Sequence, residues 1–178
     1  MEHSSTTQDP STVASTNIKL MAALDEEMKS YEQIVEESQI RTGTVTKQDF
    51  QMLSVIGKGA YGKVLLVKKK DPLNPAGGEL YAMKVLKKSE ILRRNQVEHT
   101  MTERRILGSV RHPFIVKMDY AFTSESKLFF VLEYCPGGEL FFYLSQIGRF
   151  KEDAARFYAS NILLALEHLH GLNILYRE

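Results

Sequence analysis

Three glycines, at positions 57, 59 and 62, separate two short stretches rich in apolar and β-branched residues, and this arrangement constrains the fold most. A dinucleotide-binding fold needs a helix directly after its glycines, so that the helix N-terminus faces the pyrophosphate. Here Gly62 is followed by Lys63-Val64-Leu65-Leu66-Val67, a composition that favours a strand. We therefore predict a hairpin between two antiparallel strands, whose glycines either let backbone N–H groups approach phosphates or serve flexibility alone.

The alternation of apolar runs and turn residues predicts a small sheet followed by helices. The fold class is therefore α+β, with a five-stranded antiparallel sheet and one main helix, followed by the first helices of a second lobe. Asp71 to Gly78 is dense in Pro, Gly and Asn and is predicted to be a loop. The predicted strands are Phe50–Ile56, Val64–Lys69, Leu80–Leu86, Ile115–Phe122 and Lys127–Tyr134, and the predicted helices are Asn95–Val110, Glu139–Gln146 and Glu152–His170.

The N-terminal region has a different composition. Residues 1–17 contain eight Ser or Thr and almost nothing apolar, which predicts a disordered tail. Residues 18–47 are predicted to be an acidic amphipathic helix and a linker, because apolar side chains recur every three or four positions between 18 and 40. A docking helix with a helical partner is one interpretation. The short repeat favours the other, a solvated helix folded against its own domain.

Overall charge and cysteine content exclude several classes of protein. Lys and Arg number 23 against 22 Asp and Glu, so a strongly basic nucleic-acid-binding protein is not predicted. Cys135 is the only cysteine and has no intramolecular disulfide partner. No N-terminal apolar run resembles a signal peptide or a membrane span, and we expect a cytoplasmic or nuclear setting.

Two charged residues are predicted to meet beside the sheet. Strand alternation places Lys84 on the face of Ala82 and Leu86, and neither face of this strand is polar. Glu103 shares a helical stripe with Ile106, Leu107 and Val110, which we expect to be buried. An ion pair between Lys84 and Glu103 would compensate both charges, although an exposed lysine and a surface arginine partner for Glu103 remain alternatives.

These features together resemble the eukaryotic protein kinases, and in detail the AGC group that contains cyclic-AMP-dependent kinase, Akt and the ribosomal-protein kinases. The resemblance covers about residues 48–178, with 48–135 as the N-lobe and 136–178 as the hinge exit and the first C-lobe helices. It rests on five ordered motifs: Gly57-Lys58-Gly59-Ala60-Tyr61-Gly62-Lys63-Val64, Tyr81-Ala82-Met83-Lys84, Glu103, Leu132-Glu133-Tyr134 with Gly137-Gly138-Glu139-Leu140, and Leu175-Tyr176-Arg177.

The resemblance implies a role for each matched residue. The glycine loop would cover the phosphates of ATP, Lys84 would bind the α- and β-phosphates, and Glu103 would position Lys84. Backbone groups of Glu133 and Cys135 would bind the adenine edge. The implied nucleotide-binding set is Ile56, Gly57, Lys58, Gly59, Ala60, Tyr61, Gly62, Lys63, Val64, Ala82, Lys84, Leu132 (the gatekeeper), Glu133, Cys135 and Glu139, the last near the ribose and a basic substrate side chain.

The family further implies ATP with Mg²⁺ as cofactor and protein substrates that present Ser or Thr in basic surroundings. Its catalytic loop continues Tyr-Arg-Asp-x-Lys-x-x-x-Asn, whereas this sequence has Tyr176-Arg177-Glu178, with Glu178 at the position of the catalytic base. The magnesium ligands of the family have no counterpart in these residues. We therefore expect little or no phosphoryl transfer by this chain alone. The alternative function is a non-catalytic module that binds a nucleotide or a partner.

Overall fold

The structure, a computed structural model, describes residues 45–74 and 77–177 together with Ala22, Asp25 and Glu26. The predicted tail (1–17), most of the predicted helix (18–40) and Glu178 lie outside the described residues. A capping box opens the continuous part of the chain, because the Thr46 hydroxyl accepts a bond from the Gln48 amide and the Asp49 carboxylate accepts one from the Thr46 amide. This single turn leads directly into the first strand.

The described strands form one five-stranded antiparallel sheet, as the sequence predicts. They are β1 (Phe50–Gly59), β2 (Gly62–Lys69), β3 (Leu80–Lys87), β4 (Met118–Thr123) and β5 (Lys127–Glu133). Their order across the sheet is β1-β2-β3-β5-β4, and every neighbouring pair is antiparallel. The register shifts twice in β1, once between Met52 and Ser54 and once between Val55 and Gly57. The first two strands are longer than predicted at the glycines, where only Ala60 and Tyr61 remain as the turn.

The described helices are α1 (Lys88–Arg93), α2 (Val97–Ser109), α3 (Leu140–Ile147) and α4 (Glu152–Gly171). The predicted start of the main helix at Asn95 was wrong, and α1 was not predicted. Asn95 has a φ of 52°, which interrupts the helical path between α1 and α2. The prediction that β4 begins at Ile115 was also wrong, since a turn occupies residues 113–115 and the strand begins at Met118.

Buried apolar side chains form two clusters, one on each face of the sheet. The first cluster contains Phe50, Leu65, Val67, Tyr81, Met83, Val85, Phe122, Phe129 and Val131. The second cluster contains Leu86, Ile91, Met101, Met118, Leu128 and Phe130, and it joins the sheet to α1 and α2. The alternation predicted for β3 is confirmed, because Tyr81, Met83 and Val85 belong to the first cluster whereas Leu86 belongs to the second.

The two C-terminal helices bury much less than the sheet does. Among their large apolar side chains, Phe141 is 74% exposed and Leu163 is 66% exposed, whereas Leu169 is buried. The end of α4 approaches the segment before β4, since the rings of His168 and His112 stack with centroids 5.0 Å apart. Within the described part of the chain, no helix combines the length and apolar character that crossing a membrane requires.

Candidate functional site

Lys84 and Glu103 form a two-pronged ion pair. The Lys84 ammonium donates to both carboxylate oxygens of Glu103, at 2.6 Å and 2.7 Å. The two side chains remain 29% and 39% exposed, so the pair is open to solvent on one side. An ammonium has three N–H donors. Within the described residues, Glu103 uses two of them, and one remains for another acceptor such as a phosphate oxygen.

The position of Glu103 follows from how α2 packs. Val97, Met101 and Leu107 of this helix all pack in the second cluster, which fixes the rotation of the helix against the sheet. Glu103 lies between them and reaches the face of β3 that carries Lys84. The predicted buried stripe is only partly correct: Val110 is buried, but Ile106 and Leu107 are half-buried.

The sheet places the other candidate residues on the same face as Lys84. Val64 lies directly opposite Lys84 on β2, and Phe130 lies opposite it on β5. In the next row along the strands, Ala82 lies opposite Leu132. Directly paired residues in an antiparallel sheet point to the same face. The structure therefore brings Val64, Ala82, Lys84 and Leu132 together as a row of apolar side chains that ends at a cation, whereas Ile56 lies at a register shift in β1.

The glycines of the hairpin between β1 and β2 have different surroundings. A Cβ atom on Gly62 would lie 1.8 Å from the carbonyl oxygen of Val85, so this glycine is required by the close approach of β3. A Cβ on Gly59 would have no neighbour within 4 Å, and one on Gly57 would meet only Val64, at 3.5 Å. Gly57 and Gly59 are thus not required by packing and leave the backbone open to a ligand.

The comparisons with known proteins agree with this arrangement. The sequence model of the protein kinase domain family matches residues 50–178. The chain belongs to the protein kinase family. A RAC family serine/threonine-protein kinase homolog from Dictyostelium discoideum is 50% identical over 130 residues, which are 73% of this chain and 28% of that protein. RAC-beta serine/threonine-protein kinase from Mus musculus is 48% identical over 134 residues, 75% of this chain and 27% of that protein.

A third relative matches nearly the whole chain. Protein kinase 3 from Dictyostelium discoideum is 38% identical over 168 residues, or 94% of this chain and 18% of that protein. The chain thus spans about a fifth to about a quarter of the length of these relatives. The names of the two RAC relatives identify them as serine/threonine kinases, and the sheet with its following helices is consistent with a kinase N-lobe and the start of a C-lobe.

The tip of the hairpin between β1 and β2 is anchored to the lobe. Tyr61 packs against the second cluster, and the guanidinium of Arg94 lies 5.5 Å from the centre of its ring. The carbonyl oxygen of Tyr61 accepts a 3.0 Å hydrogen bond from the amide of Lys87. The Tyr61 side chain is therefore directed toward α1, whereas Lys58, Ala60 and Lys63 are exposed around the turn. The sequence motif alone did not distinguish these two environments.

The predicted hinge residues lie at the end of β5 and directly after it. The amide of Glu133 donates to the carbonyl of Lys117 at 2.9 Å, so this N–H group is engaged within the lobe. Cys135 is exposed, and its carbonyl accepts a 3.4 Å bond from Gly138, whose φ of 75° makes the turn. Glu139 is exposed directly before α3, and its carboxylate makes no helix-capping bond. The Glu139 side chain is therefore exposed at the surface and does not cap α3.

Two buried cations were not predicted from the sequence. Lys88 is 1% exposed and Arg104 is 2% exposed, although charged residues are ordinarily predicted on the surface. Arg104 lies three positions after Met101 on α2, and this spacing was a usable sign that it shares the buried side of the helix.

Proposed function

We propose that this chain supplies the ATP-binding part of an AGC-type serine/threonine protein kinase. Such an enzyme transfers the γ-phosphate of ATP to Ser or Thr side chains of proteins in basic surroundings. The observation that carries the proposal is the half-exposed Lys84–Glu103 pair at the end of the row formed by Val64, Ala82 and Leu132. An apolar row suits an adenine ring, and a cation with a remaining donor suits phosphate oxygens.

The residues of this lobe fit a nucleoside triphosphate. Lys84 would hold α- and β-phosphate oxygens, and Glu103 would keep its ammonium from turning away. Gly57 and Gly59 would let the hairpin backbone approach the phosphates, because neither has a side chain and the lobe does not crowd either position. Phosphoryl transfer depends mainly on such positioning together with charge stabilisation, which Mg²⁺ supplies when bound.

We assign no magnesium ligands among the described residues of this chain. Within the described residues, no three His, Cys, Asp or Glu side chains come together in a way that would hold a metal ion. We expect the polypeptide of residues 1–178 to bind nucleotide. A purely non-catalytic module has less support, because the relatives are named as kinases and because Lys84 and Glu103 meet.

Calorimetric titration of the chain with Mg-ATP tests the proposal. Lys84→Met is expected to weaken ATP binding about tenfold or more, since hydrogen bonds to charged groups contribute roughly 1.5–3 kcal/mol. Glu103→Gln is expected to have a smaller effect, because it removes the charge that orients Lys84 but leaves the ammonium.

Lys127→Met is the matched control. Lys127 is exposed at the start of β5, in the same sheet, and we expect its replacement to leave ATP affinity unchanged within about twofold. Thermal unfolding without nucleotide checks that all variants are folded. Equal affinity of wild type and Lys84→Met would contradict the proposed phosphate site.

A further inference from the structure

Three polar side chains are buried among the described residues: Lys88 at 1% exposure, Arg104 at 2% and Thr100 at 8%. Lys88 begins α1 directly after β3, and Thr100 and Arg104 lie one turn apart on α2. The hydroxyl of Thr100 donates to the carbonyl of Gln96 at 2.7 Å. The two cations need more than this, because a charge withdrawn from water is costly without an opposite charge.

The carboxylate that meets Lys88 comes from the far N-terminal region. The ammonium of Lys88 forms an ion pair with Asp25, which is 63 residues earlier in the chain. Asp25 remains 45% exposed while Lys88 is enclosed, so the acidic residue approaches from outside the lobe. The backbone amide of Lys88 is also fixed, because it donates to the carbonyl of Ser126 at 3.1 Å.

The charges of the two regions are complementary. Between positions 25 and 37 the sequence has six acidic residues and one lysine. The face that receives Asp25 carries the buried cation Lys88. A second buried cation, Arg104, lies on α2 and likewise has an interaction partner. We propose that residues 18–40 dock in cis on this face of the N-lobe, through Asp25 and Lys88, and thereby stabilise the Lys84–Glu103 pair.

The stabilisation follows from where the docking face lies. Lys88 is four residues after Lys84 on the same continuous strand and helix, and Thr100 and Arg104 flank Glu103 on α2. Ile91 of α1 and Met101 of α2 pack in the same cluster, so a segment that holds α1 through Lys88 also restrains α2, which carries Glu103. Docking and ATP binding then favour the same arrangement of α2, so each strengthens the other. This part of the inference rests on the proposed ATP site.

Hydrogen exchange of the nucleotide-free chain tests the docking itself. Asp25→Asn is expected to accelerate amide exchange in residues 97–109, because the segment no longer neutralises Lys88. Glu26→Gln is the matched control, since Glu26 is the exposed neighbouring carboxylate and loses the same charge. If residues 97–109 exchange their amide hydrogens at the same rate in Asp25→Asn and in Glu26→Gln, the docking is refuted.

Lys88→Met provides the reciprocal variant. Methionine fills the buried space without a charge, so adding Asp25→Asn to Lys88→Met is expected to have no further effect on exchange. An additive effect would overturn the assignment of Lys88 as the partner. Repeating the measurement over a range of protein concentrations shows whether the segment docks on its own chain or on a second copy. Protection that does not depend on concentration supports docking in cis. Protection that increases with concentration would mean docking on a second copy and would overturn the proposal.

Titration with Mg-ATP tests the coupling separately. Asp25→Asn is expected to raise the Kd for ATP about fivefold or more, whereas Glu26→Gln leaves it unchanged. Faster exchange with an unchanged Kd would overturn the coupling. If the wild-type chain fails to bind ATP at all, the proposed function is wrong, and the exchange experiment still decides the docking.

Discussion

Replacing Gly62 by alanine gives the sharpest test of how the glycine loop is built. The added Cβ would lie 1.8 Å from the carbonyl oxygen of Val85, 2.9 Å from its carbonyl carbon and 3.1 Å from the Cα of Leu86. All three neighbours are backbone atoms of β3, so no side chain can rotate away to make room. Strands β2 and β3 would have to separate where Gly62 pairs with Leu86.

The expected cost follows from this crowding. Forcing extra atoms into a packed site costs about 1–3 kcal/mol. Against this, alanine in a strand gains about 0.5–1 kcal/mol over glycine through the lower entropy of the unfolded chain. We expect a net loss near 2 kcal/mol, since the clash is with backbone, and this corresponds to a fall in Tm of roughly 4–8 °C for a chain of this size.

Gly59→Ala is the matched control, because the same atom added there meets nothing within 4 Å. Its stability should change by no more than about 0.5 kcal/mol, or increase slightly. Thermal unfolding followed by circular dichroism, without nucleotide, measures both variants. If Gly62→Ala melts at or above the temperature of Gly59→Ala, the close approach of β3 does not explain the glycine.

Two further predictions concern ionisable groups. Burial, together with the hydrogen bond to Glu79, raises the pKa of Tyr81 above the ordinary value of a tyrosine. The stability that the neutral hydroxyl contributes is therefore complete below about pH 10 and is lost as the pH rises above it. Tyr81→Phe should therefore lose less stability than wild type when denaturant unfolding is repeated between pH 9 and 11; parallel losses would refute this. The hydrogen bond from the Thr46 backbone lowers the pKa of Asp49, so this cap stabilises the fold above the ordinary carboxyl pKa and weakens as the pH falls through the lowered value. Asp49→Asn should remove that acid dependence in unfolding experiments between pH 2 and 6, and an unchanged profile would contradict it.

The sheet and the central ion pair could be predicted from local patterns. Alternation along β3 placed Lys84 on the face opposite Tyr81 and Met83, and the structure confirms that arrangement. The meeting of Lys84 with Glu103 was predictable because a strand face and a helix stripe each presented a charge that needed an opposite partner. Both inferences used only short-range periodicity.

The missed features depend on contacts between distant parts of the chain. The motif treats the three glycines alike, yet only Gly62 is crowded, because only it faces the backbone of β3. Helix α1 was missed because six residues give too short a repeat to recognise. The burial of Lys88 depends on Asp25, and no pattern within either segment indicates that they meet.

Lys84 and Lys88 differ in solvent exposure, and this difference gives the two lysines different roles. Both ammonium groups pair with a carboxylate, but Lys84 is 29% exposed and Lys88 is 1% exposed. Removing the partner of a half-exposed ammonium costs stability of about 0–1 kcal/mol, because water replaces the carboxylate. Removing the partner of an enclosed ammonium costs roughly 3–5 kcal/mol, because the charge stays buried. Glu103 is therefore a residue whose loss should be felt mainly in ligand binding, whereas the loss of Asp25 should be felt first in the stability of the lobe. The lysine to which we assign the phosphates is the one left open to solvent, and the lysine that pairs with Asp25 is the one enclosed.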